Sequence, residues 1–591
     1  MQVYKAPLKD MRFVLLDLLD ASQLAKLPGF EDATPDTIES ILEEGAKLCE
    51  GVLLPLNRSG DEHGCSYENG VVRTPPGFKE AFKSFVEGGW LSVSSDPTHG
   101  GQGLPELINF VFDEMVCSSN LAFANYPLLS KGASALIEVH GTAEIKSRYL
   151  PRLVEGRWTG TMCLTEPQCG TDLGLIRTRA TPSGNGTHRI TGTKIFITAG
   201  EHDLSENIIH LVLAKLPDAP SGTRGISLFL VPKFTPRADG TLGPRNGVIC
   251  AGIEKKMGIH ASATCVINFD EAEGWLIGEP HQGLKCMFTM MNAARLGVGL
   301  QGLGVGEAAY QSAVAYAKDR RQGRSLKGPV DPNASADPII VHPDVRRMLL
   351  TQRALNEGAR ALGYFVALNL DIARKHPNAE QREEADDFVQ LMTPVVKAFF
   401  TDCGSLAANL AVQVHGGHGY IREHGIEQYV RDARIPQLYE GTNGVQALDL
   451  VGRKLGQHNG RLLRRFFHPV TAFIEENKND DRMAEFVEPL AKGLDRLRNA
   501  TLTIAGRGLA DPEEAGAAAT DYLKLFALVA VGYMWTRMAK IALTKSGDSF
   551  HETKLKTARF YMARLMPETG SLFAQLMAGK RSLMEMGADE F

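Results

Sequence analysis

Two short segments combine residue types suited to chemistry on a bound organic molecule. The first, Met162-Cys-Leu-Thr-Glu-Pro-Gln-Cys-Gly-Thr171-Asp172, places Leu164, Thr165, Gly170 and Thr171 where a helical texture gives way to a β texture. Its hydroxyls and accessible backbone N–H groups could hold a heterocycle edge or a phosphate. An ordinary turn into a strand would use the same residues. The second, Leu438-Tyr-Glu440-Gly-Thr442-Asn443, joins two helical stretches, with Thr442 or Asn443 as the N-cap of the next one. It offers one carboxylate, Glu440, and a lone loop carboxylate is ordinarily a solvated surface group.

Two further motifs point elsewhere when read in context. Gly297-Val-Gly299-Leu-Gln-Gly302 fits the dinucleotide fingerprint by letter. That fingerprint needs a preceding strand, whereas MFTMMNAAR before it and GVGEAAYQSAVAYAKDR after it both read as helix. Close helix packing through small residues is the better reading. His415, His418 and His424 flank a Gly416-Gly417 pair, so no rigid helical face presents them together as metal ligands. The glycines fit close approach of the backbone to something flat or anionic.

The elements that must position these segments fall into four blocks, predicting an α+β, mainly α, architecture. Residues 1–158 form an N-terminal helical domain, with apolar positions recurring every three or four residues in DTIESILEEGAKLCEGVLLPL and PELINFVFDEMVCSSNLAF. Residues 159–279 form a middle antiparallel β domain of short β-rich runs, such as HRITGTKIFIT and GISLFLVPKF, divided by turn-formers. Residues 280–455 form a C-terminal helical bundle carrying Glu440. Within it, Thr393-Pro394 reads as an N-cap followed by proline at the first helical position. GPVDPNASADPIIVHPD reads as a surface loop. Residues 456–591 form an additional helical domain without a chemical motif.

Composition narrows the partners. The chain has 591 residues, 43% hydrophobic and 23% charged, with a formal net charge of −5, so it lacks the overall basic footprint of a nucleic-acid binder. Its nine scattered cysteines contain no Cys-x-x-Cys pair and fit reduced thiols in the cytoplasm. The opening MQVYKAPLKDMRFVLLDLLD has no continuous apolar signal core, and the apolar run Leu525–Trp535 is too short to cross a bilayer. These features predict a soluble chain with no integral membrane segment.

Taken in order, LTEPxxGTD, KIFITAG, R-x-Q-G, QVHGGHGY and YEGTN resemble the acyl-CoA dehydrogenase family over roughly residues 100–450. The opening and the helical tail resemble its larger bacterial members, which include fatty acyl-CoA and methylthiopropanoyl-CoA dehydrogenases. The resemblance implies FAD as cofactor and α,β-dehydrogenation of an acyl-CoA thioester, with Glu440 as catalytic base. It implies that Met162, Leu164, Thr165, Gly170, Thr171, Phe196 and Thr198 hold the isoalloxazine side. Arg320, Gln322, Gln413, Gly416, Gly417, Thr442 and Asn443 are the implied remaining cofactor contacts. Here Phe196 replaces a common tryptophan, and the Phe-Gly that usually follows the Arg-x-x near Arg320 is shortened to Gln322-Gly323-Arg324. Thr171, Asn292, Arg295 and Gly441 are the implied substrate contacts, with Asn292 standing for an acidic residue. Arg295 could equally serve an interhelix ion pair.

Substrate expectations favour medium- to long-chain fatty acyl-CoA in β-oxidation, with 3-methylmercaptopropionyl-CoA as the alternative. The pocket floor would come from Leu121 to Leu129 and neighbouring helices. The expected electron acceptor is an electron-transfer flavoprotein, and the expected assembly a homodimer. A nucleic-acid-binding flavoprotein relative would instead use the basic stretch GRKLGQHNGRLLRRFF, and an acyl-CoA oxidase would pass electrons to oxygen.

Overall fold

The computed structural model describes residues 2–237, 239–545 and 547–591. The chain forms two compact units, one of Glu44–Asn109 with Ser119–Gly297, the other of Met1–Glu43, Phe110–Ser118 and Val298–Phe591.

The first unit holds every strand found among the described residues. A hairpin, β1 (Ser66–Glu68) and β2 (Val71–Arg73), turns through Asn69 and Gly70 at φ 51° and 81°. That is the Asn-Gly signature of a primed turn, matched to strand twist, inside a block expected to be wholly helical. The main sheet comprises β3 (Trp158–Cys163), β4 (Arg179–Pro182), β5 (His188–Thr198), β6 (Asn207–Lys215), β7 (Ile226–Pro232), β10 (Val248–Ile253) and β11 (Thr264–Ile277). A small ladder of β8 (Phe234–Pro236) and β9 (Leu242–Arg245) lies apart from it. The 14-residue β11 pairs with β10 and β5 along most of its length and with β7 at its end. Since β7 also pairs with β6, the ladder β11-β5-β4-β6-β7 closes on itself.

The sheet is antiparallel as expected except at two places: β3 runs parallel to β6, from Trp158 beside Asn207 to Cys163 beside Val212, and β4 meets β6 in a short parallel contact. The helices Leu121–His140 and Ala143–Val154 deliver the chain to β3 from the helical side rather than through a hairpin, and this frees its direction. Alternation sorts β6 and β7 between two cores. Ile209, Leu211, Leu213, Leu228 and Leu230 pack with Leu136, Ile137 and Trp158, while Val212, Ala214, Phe229 and Val231 pack with Ile190, Ile267 and Phe269.

The second unit is helical, built around Pro343–Lys375, Ala379–His415, Arg461–Asn477, Ala484–Ala510 and Pro512–Thr544, with the far part of Gly283–Asp319. One sequence expectation is corrected here. Thr393 and Pro394 lie inside Ala379–His415, which starts instead at Asn378, whose side chain accepts from Glu380 N at 2.8 Å. Buried Leu391, Met392, Val395 and Val396 carry the helix through the proline, and Thr393 Oγ1 returns a bond to Val389 O at 2.8 Å.

The Gly297–Gly302 motif is helical throughout, so the chain makes no strand-to-helix turn there. A Cβ at Gly302 would stand 2.3 Å from Phe400 O, and one at Gly404 2.3 Å from Gly302 O. The glycines let two long helices touch backbone to backbone.

Two helices, Ala379–His415 and Pro512–Thr544, are long and apolar enough to cross a membrane, but 67% of each qualifying window is buried in protein. They read as core helices. A buried charge network ties the appended helices to the rest of this unit. Arg360 donates to Asp10 at 2.6 Å, to Glu114 at 2.6 and 2.8 Å and to Glu307 at 3.1 Å. Lys554, on Ser549–Phe560, reaches Glu357 at 2.6 Å and also Asp10. Nothing in the sequence pattern singled out these charges.

Candidate active site

In the β unit the candidate residues cluster at one end of β3 and β5. After Cys163 the chain makes a tight turn in which Glu166 and Cys169 exchange backbone hydrogen bonds of 2.9 and 3.0 Å. Ile195 N donates to Thr165 O at 3.0 Å, which seats the turn beside the end of β5. The turn is organised from beneath by a pair the sequence reading missed. Lys194 Nζ donates to Leu164 O at 2.9 Å and Glu166 Oε1 at 2.8 Å. Glu166 also accepts from Thr178 Oγ1 at 2.6 Å, Thr178 N at 3.0 Å, Arg177 N at 2.6 Å and Gln168 Nε2 at 2.7 Å. Lys194 is 0% and Glu166 3% exposed. Burial raises the Glu166 pKa, but the ammonium and the other donors outweigh it and hold the carboxyl at about 2. Burial lowers the pKa of Lys194.

This scaffold leaves Gly170 and Thr171 exposed and Met162, Leu164, Thr165 and Thr198 half-buried. Phe196 is 58% exposed on a backbone held at φ 58°. A phenyl ring uncovered in this way, next to a turn rich in donors, fits one flat partner with polar edges, as an isoalloxazine has. A Cβ on Gly170 would meet only Thr165 Cγ2, at 3.6 Å, so protein packing does not demand glycine there. The FAD group implied by the sequence therefore fits the residues present. On the first part of Gly283–Asp319, exposed Asn292 accepts from buried Arg295 at 3.4 Å, and the Arg295 guanidinium lies 5.9 Å from the Phe288 ring. Leu121–Leu129 begins the helix Leu121–His140, with every residue buried except half-buried Leu128.

In the helical unit, Glu440 sits in the bend between Ile435–Gln437 and Asn443–Asp449. Thr442, rather than Asn443, is the cap: its Oγ1 accepts from Val445 N at 3.3 Å. Asn443 instead faces inward. Its Nδ2 donates to Ala398 O, Thr401 Oγ1 and Asp402 Oδ1 at 3.1, 3.0 and 2.8 Å, and its Oδ1 accepts from Lys397 at 2.8 Å. Lys397 also donates to Gly441 O at 2.7 Å, and Gln446 Nε2 to Glu440 O at 3.1 Å. Tyr439 donates to Gln301; burial first, and the Glu440 charge second, push its phenol far above the usual range.

Exposed Arg320 and Gln322 open the 320–342 loop, which wraps around one carboxylate. Buried Asp337 accepts from Ser325 N at 2.9 Å and from Val330 N and Asp331 N at 3.1 Å, and Gln322 N donates to its backbone O at 3.0 Å. Those donors hold the Asp337 carboxyl at about 2. Gln413, Gly416 and Gly417 are exposed, and a Cβ on either glycine would meet nothing within 4 Å. The histidines around them are occupied with one another. His415 stacks on Tyr316 at 4.2 Å, His418 on His424 at 4.6 Å, and Tyr316 OH meets His418 Nδ1 at 2.9 Å. In the basic stretch, Arg453, Arg461 and Arg465 pair with Asp449, Asp387 and Glu384.

The signal that could have revealed Lys194 and Lys397 is a lysine interrupting an apolar run, in ITGTKIFIT and TPVVKAFF. Such a lysine is rarely buried without partners.

Four family models match in series: acyl-CoA dehydrogenase N-terminal domain at 39–157, middle domain at 161–272 and C-terminal domain at 281–455, then an acetyl-CoA dehydrogenase C-terminal-like domain at 466–587. The 3-methylmercaptopropionyl-CoA dehydrogenase of Ruegeria pomeroyi is 42% identical over 98% of this chain and 99% of its own. A broad-specificity linear acyl-CoA dehydrogenase of Mycobacterium tuberculosis is 32% identical over 100% of both. A solved acyl-CoA dehydrogenase from Bacillus anthracis, complexed with FAD, shares the fold at TM-score 0.76 and 20% identity, over 96% of this chain and 91% of that one.

Proposed function

The chain belongs to the acyl-CoA dehydrogenase family, and we propose that it oxidises the C2–C3 bond of a short saturated acyl-CoA, 3-methylmercaptopropionyl-CoA foremost. Its cofactor is FAD, which supplies the acceptor for the hydride leaving C3. Leu164, Thr165, Gly170, Thr171, Phe196 and Thr198 hold the ring system, and Gln413, Gly416, Gly417, Arg320 and Gln322 serve its remaining length.

The observation that carries the reaction is Glu440, a carboxylate on a left-handed bend fixed from behind by Lys397 and Gln446. A carbon beside a thioester is a weak acid, so the base must be held in place while charge on the thioester oxygen is stabilised. Glu440 takes the C2 proton, and its backbone N–H donates to the thioester oxygen. Exclusion of water by the bound acyl chain strengthens both interactions. Asn292 and Arg295 orient the substrate.

End-to-end identity of 42% with a methylmercaptopropionyl-CoA enzyme supports the short substrate over the medium- and long-chain fatty acids expected from sequence. The 32% identity with a broad-specificity linear enzyme keeps longer chains as a second reading, with a place in β-oxidation. The enzyme works in the cytoplasm as a homodimer and passes electrons to an electron-transfer flavoprotein. Rates with ferricenium as acceptor, across methylmercaptopropionyl-, butyryl-, octanoyl- and palmitoyl-CoA, test the reading. It expects kcat/KM to be highest for the first; a value rising steadily to palmitoyl-CoA would favour the second. Equal rates with oxygen would mark an oxidase.

A further inference from the structure

We propose that Lys397 is a positioning residue for this reaction, its buried ammonium holding the Glu440 loop in the backbone conformation from which the carboxylate works. The inference rests on the dehydrogenase reading above. Glu440 and Gly441 are consecutive left-handed residues, at φ 56° and 83°. Glycine adopts that region freely, but in glutamate the Cβ crowds the following carbonyl oxygen. Such a residue persists only where its surroundings over-determine it.

The surroundings of Glu440 meet that condition. Lys397 lies midway along Ala379–His415, between buried Val396 and Ala398, and is 0% exposed. A methionine would fill the same volume among these neighbours, so packing alone does not call for an ammonium. The ammonium grips the loop on both sides of Thr442, through Gly441 O at 2.7 Å and Asn443 Oδ1 at 2.8 Å. Asn443 is itself locked by Ala398, Thr401 and Asp402, so it cannot swing away with the lysine. Gln446 fixes the neighbouring carbonyl of Glu440. With Gly441 O held by Lys397 and Glu440 O by Gln446, the peptides on both sides of Gly441 are fixed, and the direction of the Glu440 Cα–Cβ bond follows from them.

Lys397→Met, Lys397→Arg and Asn443→Ala, each loaded with FAD, test the role by steady-state kinetics with unlabelled and 2-deuterated acyl-CoA. Lys397→Met is expected to lower kcat about 100-fold, the scale of a misplaced catalytic group. KM and FAD content should stay near wild type, and the deuterium isotope effect should rise as proton removal becomes limiting. Lys397→Arg should recover part of the rate, and Asn443→Ala, which keeps Gly441 O as acceptor, should lose less. Should Lys397→Met not fold, Asn443→Ala carries the test through the same isotope effect. A Lys397→Met enzyme with wild-type kcat, or losses matched by loss of FAD with an unchanged isotope effect, would overturn the role. Failure of the dehydrogenase reading looks different: the wild-type protein itself would oxidise no saturated acyl-CoA.

Discussion

Replacing Lys194 with methionine removes the ammonium beneath the turn that precedes Gly170 and Thr171. The side chain is fully buried, and its bonds to Glu166 and to Leu164 O are 2.8 and 2.9 Å long. Removing one partner of such a pair costs about 3–5 kcal/mol, mostly from the charge left behind. At about 1.4 kcal/mol per tenfold, the ordered turn becomes roughly a hundredfold to several-thousandfold less populated. Glu166 keeps its bonds from Thr178, Arg177 and Gln168, so the lower end of that range is expected. Glu166→Gln alone leaves the lysine buried without the negative charge it faces. The double variant removes both charges, and its cost should fall short of the sum of the single costs by about 1–3 kcal/mol. Urea titration of the FAD-loaded proteins, followed by the rise in flavin fluorescence on release, reads all three. Single costs that add to within about 0.5 kcal/mol, or a Lys194→Met midpoint equal to wild type, would refute the coupling.

Lys554→Met should cost about 3–5 kcal/mol in the helical unit, because Glu357 and Asp10 lose a buried cation; an unchanged urea midpoint would contradict this. Gly302→Ala would drive a Cβ to 2.3 Å from the Phe400 carbonyl, and should destabilise by about 1–3 kcal/mol or more by thermal or urea unfolding. Burial first, with Lys233 next, pushes His202 and His210 down to about 3. In the unfolded chain they protonate near 6.5, so the stability they lend is whole above that pH and is lost as pH falls through the window from 6.5 to about 3. His210→Gln should therefore show a shallower acid fall in thermal midpoint than wild type.

The chemistry-bearing segments could be read from the sequence because they are contiguous, and because their glycines and prolines act locally. YEGTN declares a loop, and Thr442 or Asn443 declares a cap that follows it. What stayed hidden depends on contacts between distant positions. Asn443 and Thr442 are equally good capping residues by type, and only Lys397, Ala398, Thr401 and Asp402, more than forty positions earlier, decide that Asn443 turns inward. The parallel course of β3 is likewise invisible in the WTGTMC run, because direction is set by where the preceding helix delivers the chain. Pro394 shows the reverse error: with Thr393 it is a strong local start signal, overridden by the buried apolar face on either side of it.

The proposed reaction depends most on the Glu440 carboxylate as the base. Glu440→Gln, mixed anaerobically with saturated acyl-CoA and followed by flavin absorbance, tests it most directly. The variant should keep its yellow FAD and bleach at least about 10²–10⁴-fold more slowly than wild type, the range for loss of a general base. Bleaching at the wild-type rate would show that another group removes the proton.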